Sequence, residues 1–241
     1  VASHGVLSPS NLALLYVGIV LVKVLHELGH ATVCKFYGGE VHTMGVMLLF
    51  FSPLPYVDVT SSWAFRERRK RIAVAAAGVG AELFVAGLAA IFWASAGPGL
   101  WRDLAFNMLI TAGVTTLLFN ANPLLRYDGY YVFSDLVDVP NLYQRAQQMI
   151  NFLAEKYLFG VREATPPADT PRERRWLTVY GLLGVVYRTF IFVGIIWVMS
   201  GQFLIVGALI AVFCIAAWGI MPLVKFSSYL ANSPRLERSR P

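Results

Sequence analysis

Two histidines four residues apart, His26 and His30, bracket Glu27 in the string His26-Glu27-Leu28-Gly29-His30. On an α-helix that spacing puts both imidazoles on one face, one turn apart. Two such rings can share one Zn2+ ion, and the carboxylate beside the first can take a proton from water at the metal. Two histidines leave a catalytic zinc site incomplete, so a third ligand has to come from elsewhere in the chain. Asp128 is the candidate. It lies in the string Asn120-Ala121-Asn122-Pro123-Leu124-Leu125-Arg126-Tyr127-Asp128-Gly129. Pro123 breaks an apolar helix there, and Gly129 permits a sharp reversal next to the metal. Two histidines and one carboxylate, with a fourth position left open, form a known catalytic zinc arrangement.

The elements that must hold these groups are apolar. The chain of 241 residues is 57% hydrophobic and only 14% charged, with a mean hydropathy of +0.59. A water-soluble domain carries nearer ~25% charged residues, so the surroundings expected here are a lipid bilayer. The net charge of +6 does not imply nucleic acid, because the basic residues lie between apolar spans and read as topology signals. Cys34 and Cys214 are too few and too far apart for a disulfide framework. Residues 1–11 lack the basic start of a signal peptide.

The expected fold is an all-α polytopic membrane protein of about five transmembrane helices, with a hairpin-like segment dipping into the membrane after the first. A catalytic core over residues 1–133 contains spans near 12–37, 72–94 and 104–122. The first carries the His-Glu-His motif close to one membrane surface. Gly38-Gly39 ends that helix. Residues 134–175 form a polar cytoplasmic loop, with an amphipathic helix over Asn141–Tyr157 that suits a membrane surface. Residues 176–241 supply two further spans, Trp176–Met199 and Phe203–Met221, and a basic tail.

Residues 41–60 are apolar, but Gly45, Pro53 and Pro55 interrupt them, which points to extended structure. A strand edge bare to lipid is not stable, so this segment must line a protein cavity. Its edge suits an extended peptide, with Val46, Leu48 and Phe50 as candidate substrate-binding positions. The plainer alternative is a hairpin that only plugs the bundle.

Charge gives the orientation. With residues 1–11 outside and five alternating spans, the inside holds Lys35, five basic residues in Arg66–Arg71, seven from Arg126 to Arg175 and four in the tail. Arg102 alone falls outside, and Lys23 and Arg188 lie within spans. The bias places the N-terminus outside, with the metal site near the cytoplasmic face and the C-terminus inside.

Other polar residues have readings of two kinds. Lys23 is a tolerated helix lysine or the partner of a carboxylate in the site. Glu82, in mid-span, implies a functional or paired role, and Arg188 suits either Glu82 or lipid headgroups. Cys34 reads as a buried thiol sooner than as a fourth ligand or redox-sensitive inhibitor, and His42 as a hairpin hydrogen-bonder sooner than as an assisting group. Asp58 reads as a local backbone cap, and Asn122 either as a polar helper beside Asn120 or as a cap at the break before Pro123.

With the His26-Glu27-Leu28-Gly29-His30 string in one span and Asn120-x-x-Pro123-x-x-x-x-Asp128-Gly129 ending another, the sequence resembles the site-2 protease family of intramembrane zinc metallopeptidases. Pro55-Tyr56-Val57-Asp58-Val59 and the basic run before the second span resemble its bacterial peptide zinc metalloprotease branch. The resemblance covers about Leu12 to Gly129. It implies a three-helix core in a bacterial inner membrane and Zn2+ held by His26, His30 and Asp128. It also implies Glu27 as general base, Asn120 as a helper of substrate or transition state, and a membrane-protein or peptide substrate. The sequence departs from the family at Gly78-Val79-Gly80-Ala81-Glu82, where many relatives carry Gly-Pro-x-x-Asn, and it has no PDZ-like insertion after the second span.

Two rival readings come from other classes. One is a proteolytically silent scaffold or accessory subunit of a larger membrane complex or exporter, but a scaffold has no need of Glu27. The other is a zinc carrier, which needs a polar path that Lys23, Glu82 and Arg188 alone do not make.

Overall fold

A computed structural model describes residues 6–49, 52–157, 165–168 and 170–202, together with positions 208–209, 212–213, 215–221 and 224. It is mostly helical, and among the described residues four helices are long and apolar enough to cross a membrane: Leu12–Phe36, Arg68–Ser95, Leu100–Asn120 and Pro171–Val198. The fifth expected span, Phe203–Met221, lies largely outside the described residues.

Helix α1 (Leu12–Phe36) shows why this chain needs a bilayer. Its buried residues are Gly18, Val22, His26, His30 and Cys34, recurring every fourth position along one face. Leu21, Val24, Leu25 and Leu28 are exposed on the others. Polar and small groups inside with aliphatic groups outside invert the pattern of a water-soluble helix. The helix stops where expected: Gly38 takes φ +82°, its N–H donates to the Lys35 carbonyl and the Gly39 N–H to the Cys34 carbonyl, both at 2.9 Å. That pair of bonds is the glycine-terminated cap that satisfies the last carbonyls of a helix.

Strands β1 (Met44–Leu49) and β2 (Ser52–Val57) follow as an antiparallel hairpin, with Val46 opposite Pro55 and Leu48 opposite Pro53. The prolines fix which backbone groups face which way. Pro53 and Pro55 have no N–H, so the ladder donors of β2 are its alternate residues, Leu54 and Tyr56. The groups of Pro53, Pro55 and Val57 then point away from β1. Accordingly the Tyr16 hydroxyl donates to the Pro53 carbonyl at 3.1 Å, and the Val57 backbone meets the Glu27 carboxylate. The hairpin thus lies along α1 from the level of Tyr16 to that of Glu27. A 3-10 turn (Thr60–Ala64) returns the chain, and the Thr60 N–H donates to Asp58 Oδ1 at 2.9 Å, the local cap expected of Asp58.

Helices α2 (Arg68–Ser95) and α3 (Leu100–Thr115) pack against α1 and each other. Val22, Val85, Ala86 and Ala112 form the apolar centre of this three-helix core. At the N-terminal end of α1, Asn11 and Asn107 exchange side-chain hydrogen bonds of 3.0 and 2.8 Å. Helix α3 ends in a π-helical turn, Thr116–Asn120. Asn122 Oδ1 then accepts from the Leu124 N–H at 2.8 Å, as a cap at the break before Pro123.

Helix α4 (Asp128–Val137) was not foreseen as an element, and it carries Asp128 as its first residue. Gly129 serves close packing and not a sharp reversal. Its φ is not positive, and a Cβ there would collide with the Ala121 carbonyl group. The two units of the chain divide at Pro140, so α4 belongs with the first three helices.

In the second unit, α5 (Leu142–Tyr157) packs on α6 (Pro171–Gln202). The apolar stripe expected to rest on a membrane surface, Leu142, Ala146, Met149 and Phe152, is buried. Gly181 of α6 admits Ile150, whose Cγ1 would lie 2.8 Å from a Cβ at that position. Arg188, read as a partner for Glu82 or for lipid headgroups, instead donates to the Tyr143 hydroxyl at 2.6 Å.

Candidate metal centre

Helix α1 supplies His26 and His30, both more than nine-tenths buried, and α4 supplies Asp128. The three ligand atoms converge. His26 Nε2 and His30 Nε2 are 3.1 Å apart, and Asp128 Oδ2 lies 3.2 Å from the first and 3.3 Å from the second. Ligands on ~2.0–2.1 Å bonds at tetrahedral corners are roughly 3.3 Å apart, so this triangle is close to one face of a zinc tetrahedron. Asp128 Oδ2 is buried without a hydrogen-bond partner of good geometry, which leaves its lone pairs for another occupant.

The tautomer of His30 follows from its neighbour. Its Nδ1 lies 2.8 Å from the Val74 carbonyl oxygen, which can only accept. Nδ1 therefore carries the proton, and Nε2 offers its lone pair to the convergence point. Gly78 makes room for both rings: a Cβ there would sit 2.5 Å from His26 Cε1 and would also strike His30 Nε2. Gly29 in turn lets α1 approach α2, since a Cβ there would lie 2.9 Å from the Ala77 carbonyl oxygen. The donor set, its spacing and the orphaned carboxylate oxygen all fit a Zn2+ ion.

Asp128 is held in place from behind. Arg71 of α2 donates to Asp135 Oδ1 through Nε at 3.0 Å and Nη2 at 2.6 Å, and through Nη1 to the Phe65 carbonyl at 2.9 Å. Arg68 pairs with Asp138 at 2.8 Å. Both bridges tie α4 to the start of α2. Burial works against ionisation of Asp128, yet the adjacent His26 and His30 outweigh it and hold its carboxyl down to about 2.

Glu27 is half-buried next to this triangle, facing β2. Asn120, the proposed helper, is buried, and its amide nitrogen donates to both oxygens of Glu82 at 2.8 Å. In this conformation that donor is engaged away from the triangle of ligand atoms. Glu82 has no solvent exposure, and it also accepts from Lys23 Nζ at 2.7 Å and from the Thr116 hydroxyl. Its Oε1 lies 3.1 Å from His26 Nδ1 along a bent approach. Cys34 is fully buried with its sulfur 3.5 Å from the Ser61 hydroxyl, and it is not among the convergent ligands. His42 is exposed and pairs with Glu40 at 2.7 Å. Val46 and Leu48 are exposed on β1, and Phe50 lies outside the described residues.

Sequence reasoning missed Arg71, Thr116 and the Glu82–His26 approach. The signal for Glu82 was present, as a lone carboxylate in an apolar span. Nothing in the sequence tied Arg71 to Asp135, 64 residues away. No family model, curated protein or solved structure matches the chain.

Proposed function

We propose that this chain is a zinc-dependent endopeptidase that cleaves a membrane-associated protein or peptide. The observation that carries the reading is the convergence of His26 Nε2, His30 Nε2 and Asp128 Oδ2 within 3.3 Å of one another, with Glu27 adjoining. Zinc held by these three atoms supplies Lewis acidity, polarising a peptide carbonyl and lowering the pKa of water toward ~7.

The chain's own residues do the rest. Glu27 accepts a proton as water attacks the carbonyl carbon and passes it to the departing amine nitrogen, so the peptide bond is replaced by a carboxylic acid and an amine. The substrate must be extended, because a helix hides its scissile bond behind its own hydrogen bonds. The hairpin offers a template for that shape. With Leu54 and Tyr56 facing the ladder, their partners Met47 and Gly45 face it too. The backbone N–H and C=O groups of Val46 and Leu48 therefore face the open edge of β1. Such an edge within a bilayer requires a partner, and an added strand of substrate satisfies it. The charge bias puts the metal centre near the cytoplasmic face, where water reaches it.

The test is cleavage of extended, membrane-inserted reporter peptides by the detergent-purified protein. Cleavage that stops on chelation, returns with zinc and is absent from Glu27→Gln supports the reading. Glu27→Gln cleaving as fast as wild type would remove Glu27 as base. Failure of every reporter by a zinc-loaded wild type would favour the silent scaffold.

A further inference from the structure

Glu82 is an expensive residue for its place. It is a carboxylate with no solvent exposure in the middle of an apolar span, and every group around it carries a proton to give. Lys23 and His26 approach it from α1, Thr116 and Asn120 from the end of α3. It thereby joins all three core helices at one point. A glutamine of the same shape would also bridge helices, but it would turn an amide N–H2 toward at least one of these donors. Only a carboxylate accepts from all of them, and the Lys23 ammonium balances its charge.

What the negative charge adds beyond bracing is at His26. Oε1 lies 3.1 Å from Nδ1, on the opposite side of the ring from the Nε2 that meets His30 and Asp128. The approach is too bent for a good hydrogen bond, but at 3.1 Å the charge of the carboxylate still draws the ring proton to Nδ1, leaves Nε2 bare and raises its basicity. His30 achieves the same tautomer with a neutral partner, the Val74 carbonyl. The two ligands are thus supported differently, one by a charge and one by a backbone dipole.

We propose that Glu82 is a positioning residue of the metal centre: through His26 Nδ1 it fixes the tautomer and strengthens zinc binding, while Thr116, Asn120 and Lys23 hold it on station. The proposal rests on the zinc reading above. It also gives the polar end of α3 a task, since the Asn120 amide secures Glu82 in place of meeting the substrate.

The experiment is zinc affinity in detergent, measured by competition with a chromophoric chelator, for wild type and Glu82→Gln. The expected result is about 10- to 100-fold weaker zinc binding in the variant. A changed visible spectrum of the Co2+-substituted protein should accompany it, in variant protein that keeps the helical content of wild type even where it unfolds at a lower temperature. Equal affinity and an unchanged Co2+ spectrum would overturn the role of Glu82 while leaving the zinc site standing. A wild type that takes up no zinc would overturn both. If the variant loses its metal-free fold, 15N NMR of histidine-labelled, zinc-loaded wild type decides. Protonated Nδ1 with metal-bound Nε2 at His26 supports the proposal, and metal-bound Nδ1 overturns it.

Discussion

Gly78 backs directly onto the His26 ring, close enough that a methyl group on its Cα would lie 2.5 Å from Cε1 and 2.7 Å from Nε2. The convergence of the three candidate ligand atoms therefore depends on a residue that contributes none of them. Gly78→Ala should fold as a three-helix core, because alanine suits a helix, but it should displace both imidazoles and bind zinc at least ten-fold more weakly. Zinc titration of the variant beside wild type checks this. Undiminished affinity would mean that α1 and α2 separate freely at this level.

Arg71 and Asp135 join α2 to the helix that delivers Asp128. The pair is partly exposed, with side-chain exposures of 27% and 24%, so its contribution to overall stability is modest. Its larger effect should be local. Arg71→Ala should leave thermal unfolding nearly unchanged yet speed zinc loss to a chelator, because α4 is freed to swing. A zinc off-rate equal to wild type would show that Arg68–Asp138 and Gly129 packing suffice to hold α4.

Acid should release the metal with two protons, not three. Burial opposes the charge on Asp128, but the flanking histidines outweigh it and set its carboxyl at about 2. A depressed carboxyl keeps its contribution above the ordinary value near ~3.9 and loses it only as pH falls through the lower, folded-state value. Through the range where histidines take up protons, Asp128 stays ionised. Zinc loss in mild acid should therefore follow proton uptake by the two imidazoles alone, with affinity falling no more steeply than about 100-fold per pH unit. A 1000-fold fall per unit would mean that Asp128 protonates as well.

The open edge of β1 can be tested apart from the metal. Val46→Pro removes an N–H that faces outward, and Met47→Pro removes one that faces the ladder. Val46→Pro should cut cleavage of an extended reporter peptide at least ten-fold with zinc content unchanged. Met47→Pro should disrupt the hairpin itself. Full cleavage by Val46→Pro would argue that substrate does not add to this edge.

Much of this arrangement was legible in the sequence, for reasons that are local. The His26–His30 spacing works within one helix, and the Gly38 stop and the turn residues around Pro53 and Pro55 act within a few positions. Asp128 was legible as a candidate ligand because a helix break with an aspartate behind it is a local event as well. What stayed hidden was the partnership of distant residues. Lys23 had two readings until helix rotation placed it 2.7 Å from Glu82, and rotation also assigned Arg188 to Tyr143. Helix α4 was missed because its ten residues, Asp128–Val137, mix aromatic, acidic and aliphatic types with no long apolar run. The stripe of α5 was legible as amphipathic, but periodicity does not say whether lipid or α6 covers it.

The most direct test of the central claim is metal content of the detergent-purified protein, wild type against Asp128→Ala, without chelators in the preparation. The three-ligand site predicts about one zinc per wild-type chain and a large loss in the variant. Wild-type protein without zinc, or zinc that survives Asp128→Ala undiminished, would contradict it.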